Sequence, residues 1–125
     1  MERAFLFLVA AIIVGYGIAC AADPTLPARL AGLSVLSSDG YAELGAMYGG
    51  LQIGVGLFLV LGACSPAWQR SALLVCLFVF GPLALLRGVS ALRLEDPVGS
   101  YTLGALAFES FVVIFAALLV RRSTP

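Results

Sequence analysis

Four long apolar runs, separated by short polar interruptions, account for nearly all of the chain. They extend from about Ala4 to Ala22, Leu44 to Ala63, Ser71 to Leu92 and Tyr101 to Val120. Each is close to the ~20 residues a helix needs to cross a bilayer. Asp23-Pro24 and Pro27 close the first run, Ser65-Pro66 the second and Glu95-Asp96-Pro97 the third, residue types that stop helices. No run alternates with period two, which excludes a closed β-barrel. The pattern predicts an all-α integral membrane protein. It forms one domain over residues 1–125, a four-helix transmembrane bundle running up-down-up-down. The long first loop, Asp23 to Gly40, carries Leu26, Leu30, Leu33, Val35 and Leu36, a spacing that suits a short interfacial helix capping the bundle on its outer side.

Composition agrees and narrows the chemistry. Of the 125 residues, 62% are hydrophobic and 11% charged, with a mean hydropathy of +1.08; a soluble domain needs more polar surface than this. Seven arginines balance seven acids, so no basic surface points to nucleic acid. The chain has no histidine, which removes the usual ligands of haem, catalytic zinc and most di-iron sites; no cofactor and no metal are expected. Cys20, Cys64 and Cys76 show no CxxC spacing. The predicted topology puts Cys20 and Cys64 at opposite membrane faces, out of reach of each other, and all three read as small apolar packing residues.

Charge asymmetry sets the orientation. Arg3, Arg70, Arg121 and Arg122 fall at one face, where Glu2 is the one acid. Arg29 and Arg93 fall at the other, with Asp23, Asp39, Glu95 and Asp96. The positive-inside rule then places both termini of this multi-pass chain in the cytoplasm. A competing pattern lies at the start, where Met1-Glu2-Arg3, an apolar run and Ala19-Cys20-Ala21-Ala22 resemble a signal peptide. The run is long for that role, and an uncleaved first helix is the expectation.

Against this background Gln52, Arg87 and Glu109 stand out, because they interrupt spans otherwise made of hydrocarbon. A charge at the centre of a bilayer costs at least ~2.5–3.5 kcal/mol, so such residues pair, face a cavity or carry function. At about 1.5 Å per residue all three lie at similar depth in the outer half of the membrane. Tyr16, Tyr48 and Ser90 share that half, and Glu43 is expected to cap the start of the second helix. Arg87 and Glu109 belong to helices joined by a short loop and are expected to form an ion pair. The pair has three readings: a buried structural link, part of an outward-opening pocket with Tyr48, Gln52, Glu43 and Ser90, or an Arg87 side chain that snorkels to the outer headgroups.

Glycines mark the second helix. Gly45, Gly49, Gln52 and Gly56 share one face, and Gly50 and Gly54 form an adjacent GxxxG. Small-residue stripes let helices approach closely in lipid, within one chain or across a homodimer. Gly81-Pro82 is expected to kink or break the third helix. Trp68, Tyr41 and Tyr101 suit the interfaces, where amphipathic rings anchor helices.

The stretch Glu43-Leu44-Gly45-Ala46-Met47-Tyr48-Gly49-Gly50-Leu51-Gln52 resembles the opening of helix two in the domain of unknown function 4345 family, a bacterial group associated with the DoxX-like small four-helix membrane proteins. The family pattern E-L-x-A-x-Y-G-G-L-Q, a helix-three arginine followed by a serine, and an acid in helix four correspond to Glu43, Tyr48, Gly49, Gly50, Gln52, Arg87, Ser90 and Glu109. Gly45 stands where an arginine is common in such motifs. The resemblance implies the four-helix fold and singles out the same polar set, but it implies no activity.

Three functions fit. The first is binding of a small or lipid-like ligand with one polar head in the outer-half cluster. The second is an accessory or assembly subunit of a larger membrane complex, with the Arg87–Glu109 pair structural. The third, and weakest, is a membrane isomerase or hydrolase acting on a hydrophobic substrate, with Glu109 or Glu43 as acid or base. No nucleophile–base pair supports it, and no catalytic residue is assigned. The partners expected are membrane lipid, a hydrophobic small molecule and a homo-oligomer or larger membrane complex.

Overall fold

The structure, a computed structural model, describes residues 1–122. The described residues are almost entirely helical: α1 (Glu2–Ala22), a short α2 (Leu26–Ala31), α3 (Ser38–Cys64), α4 (Pro66–Arg93) and α5 (Ser100–Arg122). All but α2 are long and apolar enough to cross a membrane. Every long helix also leaves large apolar side chains uncovered, Phe78 at 77% exposure among them. Lipid, not water, is the solvent such faces suit. By internal packing the chain divides into two compact units, Met1–Gln69 and Arg70–Pro125.

In the first unit α1 and α3 pack antiparallel along small residues. The buried positions of α1, Phe5, Leu6, Val9, Ala10, Ile13, Gly17 and Cys20, form one stripe at helical spacing, as do Gly56, Leu59, Gly62 and Ala63 of α3. A Cβ on Gly49 would stand 3.1 Å from the backbone of Ala21, and one on Gly56 only 2.3 Å from Val14 Cγ2. The helices approach so closely because those side chains are missing, the device by which dispersion forces replace the hydrophobic effect between helices in lipid. Gly50 and Gly54 instead face open space. The expected stripe of Gly45, Gly49 and Gly56 therefore faces α1 and Pro24, whereas the adjacent GxxxG makes no close contact within the described residues.

The ends of this helix pair are tied by polar groups. Arg3 Nε donates to the Ala63 carbonyl at 2.7 Å, capping one of the carbonyls that the last turn of a helix leaves without an intrahelical partner. At the other end α1 stops at Asp23-Pro24. There Asp23 Oδ1 accepts from the Thr25 amide at 3.1 Å and from its hydroxyl at 2.6 Å. Arg29 donates to Asp23 Oδ2 at 2.7 Å and also to the Thr25 hydroxyl. These bonds, with Pro27 in the first turn of α2 and Gly32 left-handed at its end (φ 71°), fold the chain back so that Pro27 and Ala28 are buried. A short helix of 6 residues thus forms within the loop where one was expected. Leu30, Leu33 and Leu36 remain exposed rather than capping a core.

Three features depart from the expected helices. The second span begins at Ser38, not near Leu44, because Ser37 is its N-cap, its hydroxyl accepting from the Gly40 amide at 3.1 Å. Glu43 consequently lies in the second turn of α3 and does not cap its start. Residues Gly45–Gly50 form a wider π-helical turn within α3, a local insertion that three glycines in six residues make sterically easy. In the second unit α4 runs unbroken through Pro82; the lost amide leaves one carbonyl without its helical donor but does not end the helix.

Two outcomes test this account. Gly49→Ala and Gly56→Ala force methyl groups into the α1 contact and should cost about 1–3 kcal/mol. Gly50→Ala and Gly54→Ala meet nothing and should be neutral or stabilising by up to about 1 kcal/mol; thermal unfolding in detergent separates the two pairs. The Arg29 guanidinium and the Thr25 hydroxyl pull the Asp23 carboxyl down from 3.8 to about 2. Its contribution to the turn is therefore complete above about pH 4 and lost as pH falls through about 2. The protection of the Thr25 amide relative to its intrinsic exchange rate should fall across that window, and Asp23→Asn should show the lower protection already at neutral pH.

Candidate functional site

The second unit buries an acid in its packing seam. On α5 the covered positions are Glu109, Val112, Ala116 and Leu119, again spaced by three and four. Glu109 therefore occupies a position that the periodicity reserves for apolar side chains, and a buried carboxylate needs a partner. Arg87 of α4 supplies it. Nε lies 3.1 and 3.0 Å from Oε1 and Oε2, and Nη2 lies 2.8 Å from Oε1. The guanidinium meets the carboxylate side-on, the strong forked geometry of arginine with carboxylates. On the same two helices Phe80 and Phe108 stack edge to face at 5.8 Å. A Cβ on Gly88 would lie 3.8 Å from Leu106 Cδ1, so the two helices meet without a bulky residue beside Arg87.

The pair is asymmetric. The Glu109 side chain is 6% exposed and that of Arg87 26%. An approaching molecule therefore meets the guanidinium first and the carboxylate hardly at all. Both carboxylate oxygens already accept from Arg87, which leaves Glu109 poorly placed to take a proton from a substrate.

The other sequence-selected residues fall as follows. Ser90 is exposed on α4, one turn beyond Arg87. Gln52, Tyr48 and Glu43 belong to the first unit. Gln52 packs on α1, its Cβ 3.0 Å from where a Cβ on Gly17 would stand. Tyr48 is half-buried within the π-helical turn, and Glu43 is exposed. Of the expected cluster the structure joins Arg87 to Glu109. The cysteines are all free, Cys20 and Cys76 buried and Cys64 exposed. Among the described residues no group of three or more His, Cys, Asp or Glu side chains could hold a metal ion. Sequence reasoning missed the Arg3 cap, having counted Arg3 only as an orientation signal. It also missed the π-helical turn, for which Gly45, Gly49 and Gly50 were the available sign.

Four membrane-length helices and a charged pair inside two of them define the class: a small multi-pass membrane protein. The chain belongs to the family described as a domain of unknown function (DUF4345), whose model matches residues 1–120. No curated protein and no solved structure matches it.

The pair makes a stability prediction. Arg87→Ala leaves the buried Glu109 uncompensated and should cost about 3–5 kcal/mol. Glu109→Gln should cost less, because the partly exposed Arg87 can extend toward the membrane surface. The swap Arg87→Glu with Glu109→Arg should recover much of the Arg87→Ala loss. Thermal shift by size-exclusion in mild detergent measures all three, and equal stability of every variant would contradict the pairing.

Proposed function

We propose that this protein binds a small, lipid-like ligand through Arg87, with Glu109 fixing the guanidinium and Ser90 as a neighbouring hydroxyl. The observation that carries the reading is the unequal exposure of the pair, with a guanidinium presented at the edge of an apolar helix and its counter-charge hidden behind it. Binding sites in apolar surroundings have this composition, a greasy wall with a few polar groups that fix orientation. We place it in the bacterial inner membrane; the distribution of arginines supports cytoplasmic termini, and the resemblance to DoxX-like proteins is an analogy of architecture.

A second reading, an accessory subunit with the pair purely structural, draws on a different observation: both oxygens of Glu109 are already satisfied by Arg87. An enzymatic role is the weakest, because both oxygens of Glu109 are already held by Arg87.

Native mass spectrometry from mild detergent distinguishes them. Wild-type protein should carry a co-purified amphiphile that is absent from the double variant Arg87→Gln with Glu109→Gln, which removes both charges together. A ligand-free wild type that retains additional subunits would transfer the assignment to the accessory reading. A ligand-free monomer would sink both. Spectra of Gln52→Leu, Tyr48→Phe and Glu43→Gln report on the first-unit motif, and unchanged adducts there would confine the site to the second unit.

A further inference from the structure

We propose that the first unit carries a binding site of its own, a cleft between the start of α2 and the start of α3 that takes a neutral sugar ring. The cleft has a volume of about 520 Å³ and is lined by Thr25, Val35, Leu36, Ser37, Ser38 and Tyr41, a size common among small-molecule sites. It lies at the opposite end of α1 and α3 from the Arg3–Ala63 bond. There Pro24, the neighbour of Thr25, stands against α3, its Cγ 3.5 Å from where a Cβ on Gly45 would be. Both walls are held in place. The bonds among Asp23, Thr25 and Arg29 fix one, and the Ser37 hydroxyl on the Gly40 amide fixes the other. Val35 Cγ1 sits 3.7 Å from the position of a Cβ on Gly40, so the loop rests on the first turn of α3.

The lining selects the ligand. Four of its six residues carry hydroxyls and none is charged. The charges that border Thr25 neutralise each other, Arg29 pairing with Asp23 at 2.7 Å. An ion would therefore meet no counter-charge in the wall, and a hydrocarbon chain would cover hydroxyls without matching them. Among the described residues the Ser38 and Tyr41 hydroxyls have no hydrogen-bond partner. Ser37 Oγ accepts from Gly40 and keeps its own proton to donate. Each of these groups both donates and accepts, as does every hydroxyl of a sugar. Val35, Leu36 and the ring of Tyr41 supply apolar surface for the C–H face of the same sugar ring.

Such a ring could arrive free or as the head of a glycolipid, and the test has an arm for each. Delipidated protein in lauryldimethylamine oxide, a detergent without sugar, is titrated with maltose, with glucosyl diacylglycerol or with phosphatidylcholine of the same chains. Bound molecules are counted by native mass spectrometry. Wild-type protein should retain the glucosyl lipid about tenfold above phosphatidylcholine, the scale of two neutral hydrogen bonds. Maltose adducts in addition identify the sugar alone as sufficient; a glucosyl preference without them identifies a lipid head, and either result supports the site. The double variant Ser38→Ala with Tyr41→Phe removes the two unpartnered hydroxyls, spares the Ser37 cap and should lose the preference and the adducts. Tyr41→Ala, which removes the ring, serves as the second variant and should lose them as well. Equal retention of the two lipids with no maltose adduct overturns the proposal. Sugar binding that survives in both variants places recognition elsewhere and also overturns it.

Discussion

Hydrocarbon offers no hydrogen bonds, and that constraint organises the polar chemistry of this protein. Each charge that enters an apolar span must bring its partner. Glu109 on a packing seam is tolerable because Arg87 closes on both of its oxygens. The same constraint acts on the backbone: the Ala63 carbonyl at the end of α3 is covered by Arg3, and the turn after α1 closes on Asp23, Thr25 and Arg29. In these bonds charge ends helices and joins them, and at Arg87 part of the guanidinium also stays at the surface.

Apolar contact follows a complementary rule. Burying an apolar side chain against another helix gains little when lipid is equally apolar, so proximity has to come from shape. Gly17, Gly49 and Gly56 supply it by removing Cβ atoms where α1 and α3 cross. The second unit relies on larger groups, with Phe80 against Phe108 on the two helices that carry the ion pair. One unit is thus held by backbone proximity and the other by rings and an ion pair.

Much of this was legible from residue order because a bilayer imposes length and polarity so strictly. The four spans, their proline-marked ends and the meeting of Arg87 with Glu109 all follow from counting apolar residues and asking where charges can survive. What escaped depends on local hydrogen bonding that hydropathy does not register. Ser37 moves the start of α3 six residues earlier than the apolar run suggests, and the π-helical turn looks like ordinary helix to any count of apolar positions. Of the kink or break expected at Pro82 the helix shows no break, since a proline that stops a helix in water is carried through in lipid by the helix on either side. Which of Gly45, Gly49, Gly50, Gly54 and Gly56 face a neighbour is a matter of rotation about the axis, which the wider turn alters.

The bond from Arg3 to Ala63 has a meaning for how the protein is made. Its two ends are separated by sixty positions of chain, so it cannot close until the ribosome has synthesised the whole second span. During that interval the first span has no glycine-bearing partner and no cap to anchor its beginning. Completion of the second span is thus the event that gives the first its glycine-lined partner and closes the bond from Arg3.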